Sequence, residues 1–182
     1  MISSISLIIQ VTSYHSCSRF IGNRAAAHIR QHTMATNYNK DLAHLTGMER
    51  VRRFASGTDG RAGASLYLGY TFESVDEGHV CLGFEPTAEH LNLFQSVHGG
   101  VLAGLLDTAM GCALITLLNA GEHDTIIDLQ TKFVRPVVIG TASYLIDARV
   151  EHRGRRQCTM SGRIVDANDK LYATATSAAL IL

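Results

Sequence analysis

Two glycines and one carboxylate in the middle of the chain have the residue types and the spacing of a reactive site. Gly99 and Gly100 follow His98 and open an apolar segment in which Asp107 is the only ionised side chain as far as Leu118. The first amides of a helix have no partner inside the helix and carry partial positive charge. Glycine leaves those amides accessible, so this segment is able to bind the oxygen of a polarised carbonyl group through backbone alone.

The spacing of the glycines and the acid predicts that two copies of the chain share a site. Asp107 lies eight residues after Gly99, which in an α-helix corresponds to about 12 Å along the axis and about 80° around it. One helix therefore cannot bring the Gly99 amide and the Asp107 carboxylate to the same carbonyl carbon. If both act on one substrate, a second copy must supply one of them, and a homodimer with shared sites is expected.

Structural roles for the same residues stay open at this point. Asp107 could hydrogen-bond a neighbouring backbone group or bind an arginine, His98 could cap the helix, and the glycines could mark close helix packing. The apolar run of residues 101–118 also approaches the length of a membrane span. Asp107 at its centre, the breaks at Gly104 and Gly111, and the alternating segments that follow all argue against a span.

Length and composition favour one domain with a proper core plus a tail. The 182 residues carry 16 basic and 16 acidic side chains, so no bulk attraction to nucleic acid is expected. The cysteines are far apart and have neither metal-ligand nor redox spacing, which indicates reduced thiols in an intracellular protein. These residues are Cys17, Cys81, Cys112 and Cys158. No metal and no redox cofactor are predicted.

The N-terminal segment of residues 1–38 differs in character from the rest. It contains no Asp or Glu but carries Arg19, Arg24 and Arg30 among many serines and small residues, a bias typical of mitochondrial presequences. Alternatively, Met34 is the native start and the preceding residues are a non-native extension. In either case we expect this segment to be disordered, with the domain spanning residues 39–182. The expected location is the cytoplasm, or the mitochondrial matrix if the segment is a transit peptide.

The remaining pattern places one long helix between groups of strands. A short amphipathic helix is predicted over residues 42–54, ending near Gly57, and the apolar helix is predicted over residues 99–119. Strands are predicted over residues 65–73, 79–85, 125–134, 142–152, 157–165 and 170–180. This order favours an α+β domain in which an antiparallel sheet curls around the long helix.

Within that order, five residues carry a family resemblance. Asn92, His98, Gly99, Gly100 and Asp107 resemble, in type and spacing, the motif of the hotdog-fold acyl-CoA thioesterases, and most closely the phenylacetic-acid-degradation (PaaI-like) type. The later run of residues 133–136, Phe-Val-Arg-Pro, is also similar to that family's strand ending. The resemblance covers about residues 42–182. It implies a hotdog fold with about six strands around the central helix, and sheets joined edge to edge in a homodimer that often pairs into a tetramer.

The resemblance also implies roles for these residues. The Gly99 amide would bind the thioester oxygen, while Asp107 from the other copy would attack the carbonyl carbon directly or deprotonate water as a general base. Asn92 would orient the substrate or the attacking water, and His98 would position the loop or hydrogen-bond near the thioester. Beside these residues, Gly100 and Thr108 are expected to contact the substrate.

The implied substrate is an acyl-CoA, whose phosphates usually meet exposed cations. Four arginines are candidates, although a solvated hairpin tip would account equally well for the last three: Arg135, Arg153, Arg155 and Arg156. The acyl group is expected in an apolar channel at the dimer interface, unless the candidate lining residues belong to the ordinary core: Leu91, Phe94, Leu102 and Leu106. The nature of the acyl group, whether aryl, medium-chain or long-chain, stays open.

Two positions depart from the pattern of relatives. Some relatives place a Ser or Thr near the start of the third strand to hold water, where this chain aligns Ile126 and has Thr125 one residue earlier. Thr125 substitutes only if the alignment slips by one residue or a bulge intervenes, because neighbouring strand residues point to opposite faces. Relatives of the arylacyl type use a hydroxyl one turn after the acid, where this chain has Gly111.

Two alternative functions remain within the same fold. One is a protein that binds acyl-CoA without turning it over, against which the presence of both Asp107 and Asn92 argues. The other is a dehydratase or hydratase, whose usual motifs the chain does not show.

Overall fold

The structure of the protein is a computed structural model that describes residues 42–57, 63–140 and 143–182. The described residues form three α-helices and one six-stranded sheet. In chain order these elements are α1 (Gly47–Ala55), α2 (Ala64–Leu68), β1 (Thr71–Asp76), β2 (His79–Phe84), α3 (Gly99–Ile115), β3 (Asp124–Phe133), β4 (Tyr144–Arg153), β5 (Gln157–Val165) and β6 (Leu171–Ile181). The extension predicted for residues 1–38 lies outside the described residues.

The sheet is antiparallel throughout and has the strand order β1-β2-β4-β5-β6-β3. The crossover to β3 leaves β1 and β3 as the two edge strands. Inward-facing residues alternate along the central strands, and Val80, Leu82 and Ile146 are fully buried. These observations confirm the predicted α+β class and the antiparallel sheet around one long helix.

Helix α3 packs against one face of this sheet, on β4 above all and also on β2, β3, β5 and β6. Its side chains are buried over most of its circumference, including Leu105, Leu106 and Met110. Gly162 in β5 permits the close approach, since a Cβ on this residue would lie 3.1 Å from Leu106 and 3.4 Å from Met110. The helix is therefore held in place by packing rather than by its own propensity.

Helix α1 begins later than predicted, at Gly47 rather than near Leu42. Thr46 forms a capping box with Glu49: its backbone N–H donates to the Glu49 carboxylate at 2.8 Å, and its hydroxyl accepts from the Glu49 amide at 3.3 Å. This cap fixes the start of the helix. Gly47 then contacts the end of α3, donating its amide to the Leu118 carbonyl at 2.8 Å.

The strand predicted over residues 65–73 is wrong in its first half, where the structure has α2. Gly63 and Gly69 flank this short helix with φ values of 59° and 62°, conformations that glycine adopts without strain. Leu68 is buried against α3. The apolar residues therefore pack as one turn of helix, and β1 starts only at Thr71.

The long helix also ends earlier than predicted, at Ile115 instead of Asn119. The Thr116 hydroxyl donates to the Ala113 carbonyl at 2.6 Å and accepts from the Gly78 amide at 2.8 Å. The amides of Leu117 and Leu118 then donate to carbonyls three residues earlier instead of four, which is the 3₁₀ pattern, and the α-helix does not continue. No helix among the described residues is long and apolar enough to cross a membrane.

Substitution of Gly47 by alanine is expected to destabilise the domain. The added Cβ would lie 1.6 Å from the Ile115 carbonyl oxygen, so α1 must move away from the end of α3. We expect Gly47→Ala to lower the free energy of unfolding by about 3 kcal/mol, measured by urea denaturation.

Gly104→Ala is the matched control. Its Cβ would lie 3.4 Å from the Leu68 side chain, an ordinary contact, and alanine favours the helix by up to about 1 kcal/mol. Equal stability of the Gly47→Ala protein and the parent would contradict the contact between α1 and α3.

Candidate active site

In the first turn of α3, the Gly100 amide forms a hydrogen bond within the chain, whereas the Gly99 amide forms none with the described residues. His98 is the N-cap residue, and its Nδ1 atom accepts the Gly100 amide at 2.9 Å. Because Nδ1 is the acceptor, the proton of the neutral ring lies on Nε2. The Gly99 amide has no acceptor among the described residues. The Gly100 amide thus belongs to the cap, while the Gly99 amide remains unpaired within the described residues.

Asp107 is a half-buried carboxylate on the least covered face of α3. Burial raises the pKa of this carboxyl, and no hydrogen bond or charge from another described residue offsets the effect. The backbone hydrogen bond or arginine partner that would have given it a structural role is therefore not found in the described part of the chain. An unpaired, partly desolvated carboxylate is a typical feature of functional sites.

Gly99 and Asp107 belong to the same uninterrupted helix. Its geometry keeps them about 12 Å apart along the axis, as the sequence predicts. Within one chain, the Gly99 amide and the Asp107 carboxylate thus lie on the same helix but too far apart to contact one carbonyl group.

Asn92 organises its own loop. Its Oδ1 accepts the Phe94 amide at 2.8 Å and the Ser96 amide at 3.3 Å, and its Nδ2 donates to the Ser96 hydroxyl at 3.0 Å. Gln95 has a φ of 61°, which this turn requires. The loop leads directly into His98, so Asn92 supports the start of α3. Its expected contact with substrate or water stays a prediction.

Thr108 and two of the candidate channel residues are occupied within the domain. The Thr108 hydroxyl donates to the Gly104 carbonyl at 2.8 Å, inside the helix. Leu102 and Leu106 are buried in the core of the single chain, which agrees with the alternative that they are ordinary core residues. Leu91 is partly buried, whereas the Phe94 ring is 89% exposed.

The four candidate arginines lie at opposite ends of α3. Arg135 follows β3 close to the start of α3 and donates to the Leu171 carbonyl. Arg153 forms an ion pair with Glu122 at 3.0 Å, in the loop that follows the end of α3. Arg155 and Arg156 follow Arg153 at the tip of the β4–β5 hairpin and are exposed. A single chain therefore does not place all four arginines near Gly99.

The expected water-holding hydroxyl is missing at the start of β3. Ile126 faces α3, since a Cβ on Gly111 would lie 3.6 Å from its Cδ1 atom. Thr125 is exposed on the other face. A bulge does interrupt β3, but it lies between Ile126 and Asp128 and so follows Thr125 without turning it inward.

One aromatic contact at the site was not anticipated from the sequence. Phe133, whose ring is 52% exposed, lies directly against Gly99: a Cβ on that glycine would be 3.2 Å from the ring. The ring therefore forms one wall beside the open amide. The run of residues 133–136 pointed to a strand ending, but nothing in its pattern indicated which residue the ring would touch.

The electrostatic surroundings of Asp107 were also missed. Burial raises the pKa of Asp124, an effect that the nearby Arg50 opposes and the Asp107 charge reinforces. Burial likewise raises the pKa of the Cys112 thiol to about 12, so this cysteine stays protonated and is a poor nucleophile. Asp107 and Asp124 are thus the groups in this part of the structure that carry negative charge, and the charge of each raises the pKa of Cys112.

Comparison with known proteins identifies relatives that share this arrangement of elements. Residues 94–173, which include α3 and most of the strands after it, match the model of the thioesterase superfamily. The acyl-coenzyme A thioesterase PaaI of Escherichia coli K12 is 35% identical over 107 residues, a match that covers 58% of this chain and 73% of the relative.

Solved structures agree with the sequence comparison. The E. coli PaaI protein from the phenylacetic acid degradation operon has a TM-score of 0.65 at 26% identity, covering 74% of this chain and 95% of that protein. A phenylacetic acid degradation-related protein of Ralstonia eutropha JMP134 has a TM-score of 0.65 at 28% identity, covering 71% of this chain and 98% of that protein.

Replacing Asp107 by asparagine is expected to stabilise the protein at neutral pH. Because the pKa of Asp107 is raised, the folded chain binds this proton more tightly than the unfolded chain does. Stability is therefore lost as the pH rises from the ordinary aspartate pKa of about 4 through the raised value. Asp107→Asn removes that loss, so its melting temperature should exceed the parent's at pH 7.

The pH dependence separates this effect from general repacking. At about pH 3 both proteins carry an uncharged group here, and the difference should vanish. Asp76→Asn, which removes the same charge from an exposed position at the end of β1, is the matched control. A melting temperature of Asp107→Asn equal to or below the parent's at pH 7 would show that the carboxylate is not destabilised by burial.

Proposed function

This chain belongs to the thioesterase superfamily, as a thioester hydrolase of the PaaI-like type with the hotdog fold, and from that membership we propose that its substrate is an acyl-CoA. The reaction adds water across the thioester and releases a free acid and the thiol of coenzyme A. The observation that carries the proposal is the division of the first turn of α3, where His98 takes the Gly100 amide and the Gly99 amide stays open.

In this proposal the Gly99 amide binds the thioester oxygen. Negative charge grows on that oxygen when the carbonyl carbon is attacked, and a fixed amide at a helix N-terminus stabilises it. The Phe133 ring beside Gly99 excludes water from one side. A drier surrounding strengthens the hydrogen bond to the developing oxyanion.

Asp107 acts on the carbonyl carbon in one of two ways. As a nucleophile, its carboxylate displaces the thiolate and forms an anhydride that water then hydrolyses. As a general base, it takes a proton from water while the water oxygen attacks. Partial desolvation makes the carboxylate more reactive in either role. Appearance of label in the Asp107 carboxyl after a single turnover in ¹⁸O-labelled water would establish the nucleophilic route, because label enters that carboxyl only when an anhydride forms and water attacks its Asp107 carbonyl.

The sheet edge supports the proposal that two copies share each site. Strand β3 is an edge strand that pairs only with β6 among the described strands. It runs antiparallel to α3, with Ile126 beside Gly111 and Phe133 beside Gly99. If two copies pair their β3 edges about a two-fold axis, the start of one strand lies opposite the end of the other. This pairing would bring Asp107 of one copy towards Gly99 of its partner.

Removal of the Asp107 carboxylate is expected to abolish turnover. We expect the parent to release free thiol from at least one member of a panel of acetyl-, octanoyl-, phenylacetyl- and palmitoyl-CoA. Asp107→Ala should reduce kcat by about a hundredfold or more, because the reagent that attacks or activates water is lost. A thiol-reactive chromophore measures both proteins.

Asp76→Ala removes an exposed carboxylate from the end of β1 and should retain activity. Binding of acyl-CoA without thiol release in the parent would indicate a binding protein. With an enoyl-CoA added as a fifth substrate, loss of its enoyl absorbance without thiol release would indicate a hydratase. Full activity of Asp107→Ala would refute the role given to this residue.

Complementation between two inactive variants tests the shared site. Proline at Gly99 removes the amide proton, and it suits the first position of a helix, particularly after His98 with its extended ψ of 134°. We expect Gly99→Pro and Asp107→Ala to be inactive alone. Mixed one to one after unfolding and refolding, they should regain about one quarter of parental activity, because half the dimers then carry one intact site.

Gly99→Ala is the matched control, since it adds a Cβ at the same position but keeps the amide. The Phe133 ring, half exposed, is able to shift away from the added atom, so this variant should retain most of the activity that Gly99→Pro loses. Absence of any regained activity in a refolded heterodimer would place both groups of each site in one chain.

A further inference from the structure

A cavity of about 460 Å³ lies between α2 and the first half of α3. Its volume is within the range of small-molecule sites. The apolar part of its wall consists of Ala64, Leu68, Leu91, Val101 and Gly104. His98 and Gly100 also line it, so the cavity begins one residue away from the open Gly99 amide.

The polar groups in the wall have partners within the protein, including the Glu89 carboxylate, which accepts from the Thr87 hydroxyl at 3.0 Å, and His98, whose Nδ1 accepts the Gly100 amide. His90, only 3% exposed, accepts the Thr87 amide at Nδ1 at 3.0 Å and donates from Nε2 to the Tyr67 carbonyl at 2.9 Å. The Tyr67 hydroxyl donates to the Glu89 carbonyl at 3.3 Å. These groups lose no partner when an apolar ligand enters, whereas a polar ligand gains little from them. The wall therefore favours an apolar occupant.

The cavity runs along α3 away from the proposed oxyanion donor. Gly100 and Gly104 are separated by about one turn of helix, or about 6 Å of rise, and both line the same cavity. Neither has a side chain, so the surface of the helix is open between them. The cavity wall thus continues from His98 and Gly100, the sequence neighbours of Gly99, along the helix to Gly104.

We propose that this cavity binds the acyl group of the substrate, and that the group is apolar and larger than acetyl. The inference rests on the proposed function, because it takes the Gly99 amide as the site of the carbonyl oxygen. It places the acyl group between α2 and α3 of a single chain. Leu102 and Leu106, which the sequence suggested as lining residues, lie instead in the core.

Non-hydrolysable thioethers test this inference without depending on turnover. The probes are S-octyl-CoA and S-ethyl-CoA, titrated into the full chain by calorimetry. We expect the parent to bind S-octyl-CoA at least about tenfold more tightly than S-ethyl-CoA, because the longer chain fills an apolar pocket. Ala64→Trp, in which the indole occupies the cavity mouth, should remove most of that preference and leave the affinity for S-ethyl-CoA nearly unchanged.

Leu66→Trp is the matched control, since Leu66 lies on the same short helix, is 62% exposed and does not line the cavity. It should keep the preference of the parent. Gly104→Val, which fills the inner part of the cavity beside Leu68, provides a second variant in case Ala64→Trp disturbs α2. Retention of the parental preference by folded Ala64→Trp and Gly104→Val would overturn the assignment, as would equal binding of both probes by the parent.

Different outcomes would contradict the proposed hydrolysis and the assignment of the cavity. If the parent prefers S-octyl-CoA and loses the preference on Ala64→Trp, but releases no thiol from any acyl-CoA, the cavity assignment stands and hydrolysis does not. If the parent hydrolyses acyl-CoA and the preference is unaffected by both cavity variants, hydrolysis stands and the cavity assignment does not.

Discussion

Helix α3 is apolar around nearly its whole circumference, and the fold has to cover it. Leu105, Leu106, Ala109 and Met110 have no measurable exposure, and the sheet, α1 and α2 supply the cover. Gly162 lets β5 approach the helix, while Gly47 lets α1 approach its end. Burial of so much apolar surface fixes the helix relative to the sheet. The positions of the Gly99 amide and the Asp107 carboxylate follow from that burial.

The face of α3 that this cover leaves least buried carries three glycines and one carboxylate. Gly100, Gly104, Asp107 and Gly111 are all partly or fully exposed in the described chain. Asp107 has no compensating partner there, and its pKa is raised by burial. A group that costs stability and has no structural contact is consistent with a role in reactivity, since active sites commonly retain such unfavourable groups.

Much of the fold could be predicted from the sequence, because β2 to β6 and α3 have clear periodicity and clear turn residues. The predicted ends of the helices and of β1 differ from the structure where a few specific contacts determine them. Thr46 caps α1, Thr116 closes α3, and Gly63 with Gly69 converts an apolar run into a turn of helix. The Thr46–Glu49 capping box is a local signature that was available in the sequence. The Thr116 bond to Gly78 depends on a partner distant in sequence, and the φ values of Gly63 and Gly69 are backbone angles that composition does not reveal.

The candidate site was predictable in its residue types and spacing, but less so in its contacts. The distance between Gly99 and Asp107 follows from helix geometry alone. Which amide remains open depends on the ring orientation of His98, and the use of Asn92 on its own loop depends on the Gln95 turn. Contact between Phe133 and Gly99, and the separation of Arg135 from Arg153, follow from the crossover that places β3 at the sheet edge. Strand order is not encoded in local pattern.

That crossover links the edge of the sheet to the proposed chemistry. Strand β3 is antiparallel to α3 and touches it near both reactive positions, through Ile126 at Gly111 and Phe133 at Gly99. A two-fold axis at this edge would place two identical rigid helices with the donor of one facing the acid of the other. The separation of the reagents would then depend on one interface instead of on flexible side chains. Under the proposed mechanism, a substitution on the outer edge of β3 would thus act on both sites at once, although it touches neither reagent.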